Sequence, residues 1–407
     1  MRSSTRFEAF ALVAAALLWR PAPSHAQQPQ AGFQDGFFIE SPDGNTRLNF
    51  GLVAQTDGRF SVDDPLAITN TFTTRKFRPS LTGRIAKYFD FKMNPDFGSG
   101  TVVVEDAYFD ILFSTKLRVR TGKDKTPVGY ELLIGDGYLL FPERSLASSL
   151  VPNRDTGFQV QGDANRISYA AGVFNGVPDG SSSTTELDTN SAKDLAGRIT
   201  LNPFKSARSP HGVIDGLGFQ LGGSTGAERG ALPVFRTSAQ QTYFSYASGA
   251  AASGTRSRMT PAAFYYHKAF GGYTEYVRSA QPITRSGIRS NVVNHAWEAS
   301  ASYLLTGEDA SAGIVRPRHD FDPSSGQWGA LQLVARAAAL TVDRDAFPTL
   351  AAPGSSREAQ SFTVGANWYP NAYVKFYGTF ERTVFDRNAS GARPAEDVII
   401  FRGQLAF

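Results

Sequence analysis

The chain of 407 residues contains no cysteine. That excludes a disulfide framework, a thiolate nucleophile and a cysteine metal site together. Histidine is scarce too: the five present form neither an H-E-x-x-H pattern nor an i, i+4 pair, which argues against a zinc centre. Beyond the N-terminus no apolar run reaches the length of about 18 residues that a membrane-crossing helix needs. Long segments with helical periodicity are lacking as well. Neither glycine-rich phosphate cradle stands between a strand and a helix, and no cofactor is called for. The net formal charge is only +4, which leaves no footprint for a nucleic-acid partner. Positive charge must therefore act through where it is placed rather than through its total.

The one apolar run, "FALVAAALLW" from Phe10 to Trp19, follows Arg2 and Arg6 and precedes "RPAPSHA", with Ser24 and Ala26 at the small-residue positions of a cleavage site. That pattern reads as a secretory signal peptide over residues 1–26. Its removal takes away three Arg and one Glu, so the net charge of +4 falls to +2.

What the sequence does have is alternation. In "TRKFRPSLTGR", residues 74–84, Lys76, Arg78, Ser80, Thr82 and Arg84 share one face, and Phe77, Pro79, Leu81, Gly83 and Ile85 share the other. Similar segments recur almost to the end, separated by Gly, Pro, Asn, Asp and Ser clusters, and they number about sixteen. The first is "RLNFGLVAQ" and the last "VIIFRGQLAF". Spread over the mature chain they leave roughly 24 residues for each strand and its connection, the spacing of ~10-residue membrane strands with short turns at one end and longer loops at the other.

Soluble sandwiches also alternate, so lipid has to be argued separately. Aromatic residues make up 12% of the chain and gather near strand ends, as at Tyr88, Phe113, Phe158, Trp368 and Tyr369. The face opposite the apolar one is often charged or amide-bearing, which a wet lumen tolerates and a packed core does not. The expected fold is all-β: a transmembrane antiparallel β-barrel of about sixteen strands over residues 45–407, preceded by a polar segment, 27–44.

Two stretches interrupt the pattern. Residues 128–155, "VGYELLIGDGYLLFPERSLASSLVPNRD", are too long for a connection without a role and are expected to fold inward as a constriction loop. Residues 176–194, rich in Ser and Thr, read as a surface loop. Enzyme readings find little support. "GGSTG" at 222–226 matches G-x-S-x-G, but a nucleophile elbow needs a helix behind it. "DRD" and "DFD" read as turn chemistry rather than calcium ligands.

The run "RKFRPSLTGRIAKYFDFKMNPDFG", then "VEDAYFDI", "GKDKTPVGYE", "FPERSLASSLVPNRDTGFQVQGD", "LTGEDA", "FTVGANWYPNAYVKFYGTFER" and the final "RGQLAF" together resemble the phosphate-selective porin O and P family. The resemblance implies a sixteen-stranded trimeric barrel of the Gram-negative outer membrane that passes anions, phosphate or polyphosphate above all. It also implies a basic ladder leading to a constriction. On matching motifs Arg75, Lys76, Glu105 and Arg144 fall at the constriction, and Arg256 and Arg258 form an outer ladder. The terminal aromatic, Phe407, resembles the signal read by the barrel-assembly machinery. Two family cations are missing: Leu52 stands after the first-strand glycine, and Leu132 or Leu133 early in the constriction loop. The acidic position carries Glu where the family has Asp. Two alternatives follow: a general porin of the same fold with little solute preference, and a secreted β-rich hydrolase or binding protein.

Overall fold

The computed structural model describes residues 28–62, 69–100, 102–183, 190–205, 212–388 and 391–407. The signal-peptide reading, residues 1–26, lies outside them. Sixteen antiparallel strands close on themselves. They are β1 (Arg47–Ser61), β2 (Thr71–Ile85), β3 (Phe89–Asp96), β4 (Val103–Ser114), β5 (Leu117–Lys125), β6 (Arg154–Ala164), β7 (Ile167–Phe174) and β8 (Asp194–Leu201). The second half comprises β9 (Leu217–Gly230), β10 (Ala251–His267), β11 (Phe270–Arg285), β12 (Ile288–Leu304), β13 (Ala330–Thr341), β14 (Glu358–Tyr369), β15 (Val374–Phe385) and β16 (Glu396–Ala406). Each strand pairs with its sequence neighbour, and the ring closes where β16 pairs with β1, from Val398↔Ser61 to Ala406↔Val53.

Burial along the strands is the reverse of a water-soluble protein's. On β14, Ser361 and Thr363 are buried while Phe362 and Val364 are more than half exposed. On β2, Lys76 and Arg78 are buried and Phe77 and Ile85 are exposed. Apolar side chains that look outward all round a closed barrel, with polar ones inside, suit a belt of hydrocarbon. Closure leaves no sheet edge, so every strand backbone can be satisfied within the wall.

The end that carries both described termini has two-residue turns at 115–116, 165–166 and 268–269. It also has two longer connections, 202–216 and 305–329, so turn length does not separate the ends as cleanly as expected. The opposite end, the loop end, carries one tight turn of its own: Ser286 and Gly287 both have positive φ, 50° and 82°, the geometry that matches the twist of paired strands.

Part of the segment set apart as 27–44 is built into the sheet. Gln30–Phe33 and Phe37–Glu40 form a hairpin whose second strand pairs with β1, from Phe37↔Phe50 to Glu40↔Arg47. It continues the edge of β1 that β16 has just left. Phe407 lies at this junction, bonded to Leu52 through both backbone N–H and C=O, with its ring 5.9 Å from those of Phe33 and Phe37.

Residues 126–153, between β5 and β6, have short 3₁₀ turns at Glu131–Leu133, Asp136–Tyr138 and Leu146–Leu150. Their apolar side chains, among them Val128, Leu146, Leu150 and Phe141, are buried. They pack against small and apolar positions such as Ala296, Ala338, Leu340 and Val334 on β12 and β13. Their backbone carbonyls are held by side chains of the next strands round the wall, β14–β16 and β1: Gln55 reaches Asp136, Gln404 reaches Gly137, Lys375 reaches Leu139 and Asn367 reaches Leu140. The connection between β9 and β10 adds a small hairpin at the loop end, whose Phe235 and Phe244 join the same apolar cluster.

Candidate functional site

Because the apolar side of 126–153 rests on β10–β13, the polar side faces β1–β6. Three cavities follow one another there, and the register of β2 fixes their order. Nearest the loop end is a cavity of about 280 Å³ bordered by Arg75 and Lys76. Next comes one of about 390 Å³ bordered by Arg78. A third, also about 390 Å³, is bordered by Thr82 and Arg84. Arg120 on β5 borders the second and third alike.

Strict alternation would send Arg75 outward if Lys76 faces inward. The structure resolves this with a bulge: Gln55 pairs with Lys76 but Thr56 with Thr74, so Arg75 is the extra residue. Both cations then turn to the same side. A second bulge lies two strands away, where Asn94 pairs with Asp106 and Pro95 with Val104, and it brings Glu105 inward beside Asp106. Bulges re-aim side chains in this way at the cost of one ladder pairing.

The charges so gathered are closely paired. Arg75 holds Glu143 through Nε at 2.7 Å and Nη2 at 3.1 Å. Glu143 is also bonded by Arg59 at 2.5 Å and Arg402 at 3.2 Å. Lys76 Nζ lies 2.9 Å from Asp136 Oδ1, and Arg144 Nη1 lies 2.7 Å from the same oxygen. Arg78 spreads its three nitrogens over three carboxylates, Asp96, Glu105 and Asp136. Arg154 bridges Glu105 at 3.0 Å and Asp106 at 2.7 Å. Burial acts first on Asp136, to raise its carboxyl. The fields of Lys76, Arg144, Arg78 and Lys125 outweigh it and hold the group well below the usual carboxylate range. Glu143 follows the same rule, lowered by Arg75, Arg402 and Arg59 against the effect of burial.

Of the four expected constriction residues, Lys76, Glu105 and Arg144 thus share one network of ion pairs through Asp136 and Arg78, while Arg75 belongs to a neighbouring one centred on Glu143. Arg256 and Arg258 join neither. Both sit on β10 rather than in a loop, are nearly fully buried, and border none of the three cavities. Arg256 is paired with Asp194 and Glu228, and Arg258 with Asp179 and Asp194. Placing them in an outer ladder is corrected on that ground: their charge is taken up by Asp179, Asp194 and Glu228. The surface-loop reading of 176–194 changes at its start, where Val177 and Asp179 are buried against Arg258; residues 184–189 lie outside the described residues.

Leu52 has the parity of the exposed Phe50 and faces outward, so no pore cation is lost there. A second glycine in the strand, Gly58, precedes Arg59, and Arg59 is the one that reaches Glu143. Leu132 is buried in the apolar cluster. The nearby cation is Lys125 at the end of β5, whose Nζ donates to the carbonyls of Leu132 and Ile134. Asp136, Glu143, Arg154, Lys125 and Arg198 escaped the sequence reading, which sets Arg78 on the cationic face of its strand without a part in the constriction. The available signal was a loop bearing Glu131, Asp136 and Glu143 beside strands rich in Arg and Lys.

The family described as phosphate-selective porin O and P matches residues 48–407. The chain belongs to this family. It is therefore a porin of the Gram-negative outer membrane, a channel-forming barrel. No curated protein sequence matches it. Solved structures similar to this porin include the outer-membrane channel DcaP of Acinetobacter baumannii, at 10% identity over 93% of this chain and 100% of that one, with a TM-score of 0.57. The anion-selective porin from Comamonas acidovorans aligns at 12% identity over 89% and 100%, TM-score 0.54. The in-vitro folded trimer form of OmpT from Vibrio cholerae aligns at 10% identity over 89% and 99%, TM-score 0.55. At these identities the likeness concerns the fold.

Proposed function

We propose that this porin is a passive channel for small anions whose path follows β2 through the three cavities in turn, with phosphate or polyphosphate as the favoured solute. One observation carries the reading. Cations outnumber carboxylates around every cavity: four to two in the first, six to three in the second, and four to three in the third. The chain as a whole is close to neutral.

In this reading residues 126–153 fold into the bore and narrow it. Arg75, Lys76 and Arg144 lie on the path between the first and second cavities, and Glu105 positions Arg78 and Arg154. A partly dehydrated anion needs replacement donors, and Arg offers phosphate a planar fork where Lys offers a point charge. Pairing most of the cations with carboxylates keeps attraction short of trapping, the condition for conduction. Three copies assemble as a homotrimer, as the trimer form of the Vibrio cholerae protein suggests by analogy, and Phe407 is the residue presented to the barrel-assembly machinery. The same pairing favours a second reading, a general porin in which matched charges leave little solute preference.

Reversal potentials in a planar bilayer under a KCl gradient separate the two. The wild type is expected to prefer anions, and the Arg75→Ala, Lys76→Ala double variant to lose much of that preference. Each cation offers about 4 kcal/mol at 4 Å and an effective dielectric near 20. If roughly a third survives screening, the permeability ratio changes about tenfold for each cation removed. A wild type without anion preference, or a double variant identical to it, overturns this assignment.

A further inference from the structure

Asp136 is the point where the first and second cavities meet. Its carboxylate borders the second cavity, while Lys76 and Arg144, both bonded to its Oδ1, border the first. Its Oδ2 is bonded by Arg78 and lies 3.8 Å from Arg154. Four cations drawn from β2, β6 and the loop itself therefore surround one pair of oxygens; Lys76 and Arg144 have Asp136 as their carboxylate among the described residues, while Arg78 and Arg154 also reach Asp96, Glu105 and Asp106. The residue is carried by a connection, flanked by Gly135 and Gly137, rather than by the wall. Beyond it the second cavity continues to Lys125 and Arg198, and among the described residues neither has a carboxylate within salt-bridge distance.

We propose that Asp136 is a tethered counter-ion: its carboxylate occupies the seat that a permeating anion takes, and it sets the porin's affinity for phosphate by competing for the same cations. The proposal rests on the reading of the cavities as an anion path. Several cationic nitrogens converging on two oxygens from different elements is the arrangement that a free oxyanion also satisfies. A purely structural clamp has no need to stand in the path. A carboxylate on a short connection competes at an effective concentration on the order of millimolar or more, so phosphate must displace it and leaves again when it returns. Glu143 is a weaker candidate for this role, because two of its cations, Arg59 and Arg402, border none of the three cavities, whereas each of the four around Asp136 borders one.

The test compares wild type, Asp136→Asn and Glu131→Gln as full barrels in planar bilayers. Chloride current is titrated with inorganic phosphate, and the reversal potential is recorded alongside. Glu131 is also a buried loop carboxylate, bonded to the Ser145 N–H and the Ser148 hydroxyl, but it borders none of the cavities. Asp136→Asn is expected to be half-blocked at a phosphate concentration about tenfold or more below the wild type's. Glu131→Gln is expected to keep the wild-type value. Block of Asp136→Asn at the wild-type concentration overturns the tether and leaves the anion path standing. A wild-type reversal potential without anion preference overturns the path and the tether with it. Where Asp136→Asn refolds poorly in chloride, its yield is measured in phosphate at equal ionic strength. A gain beyond that of Glu131→Gln supports the tether and equal gains overturn it, since phosphate also stabilises proteins generally.

Discussion

Among single residues, the decisive distinction is between cations that have carboxylate partners and those that do not. Arg402 is fully buried, bonded to both oxygens of Asp57 and to the Pro142 carbonyl. Truncating it leaves Asp57 inside the barrel with only Arg59, and removal of one partner of such a buried pair costs about 3–5 kcal/mol. Arg198 borders the second cavity and, among the described residues, its guanidinium finds only Thr200, at 3.4 Å. Arg198→Gln should therefore lower anion conductance while its denaturant midpoint stays within about 0.5 kcal/mol of wild type. Arg402→Ala should show the reverse order, with a large loss of stability. Urea unfolding and single-channel recording on the same two variants check both. The pairing itself was not legible in the sequence. Alternation separates Arg75 from Lys76, and only a bulge reunites them, while Asp136 and Glu143 are acids in a place where a search for anion ligands looks for bases.

Among elements, the 126–153 connection shows how apolar anchoring and polar function divide along one segment. Its buried side chains rest on one half of the wall, and this leaves its carboxylates directed at the other half. Phe141 is 1% exposed and packs under the Arg336 guanidinium at 4.3 Å. Phe141→Ala should cost about 3–5 kcal/mol. Because the barrel wall is closed independently of this segment, the loss should appear as faster amide exchange in 126–153 and as noisier, larger single-channel currents rather than as an unfolded barrel. All sixteen strands were visible in the sequence because period-two alternation is a local signal. Their lengths were not. "RLNFGLVAQ" marks only the first part of β1, which runs on to Ser61, since outside a hydrocarbon belt nothing requires every second residue to be apolar.

For the molecule as a whole, the seam is the feature that local patterns could not announce. The ring depends on β16 finding β1 across almost the entire chain, a contact of very large sequence separation that forms late and slowly. The hairpin at Gln30–Phe33 and Phe37–Glu40 backs that seam, with Phe33 and Phe37 against Phe407. Deleting residues 28–41 should leave the sixteen-strand barrel able to close but slow its closure and lower its thermal midpoint. Heat-modifiable gel mobility followed during refolding into detergent measures both. Composition alone placed residues 27–44 outside the barrel, because a short polar stretch gives no sign that its backbone will extend a strand edge.

The cavities follow the β2–β6 side, and the apolar clamp sits on β10–β13. On the proposed anion path, traffic and robustness thereby fall on different arcs of one cylinder. Amino-acid exchange along the second arc can tune tolerance of heat or detergent while leaving the solute repertoire alone, and exchange along the first can retune that repertoire without loosening the cylinder. A lineage could therefore adapt to a new habitat and to a new nutrient by separate mutational routes.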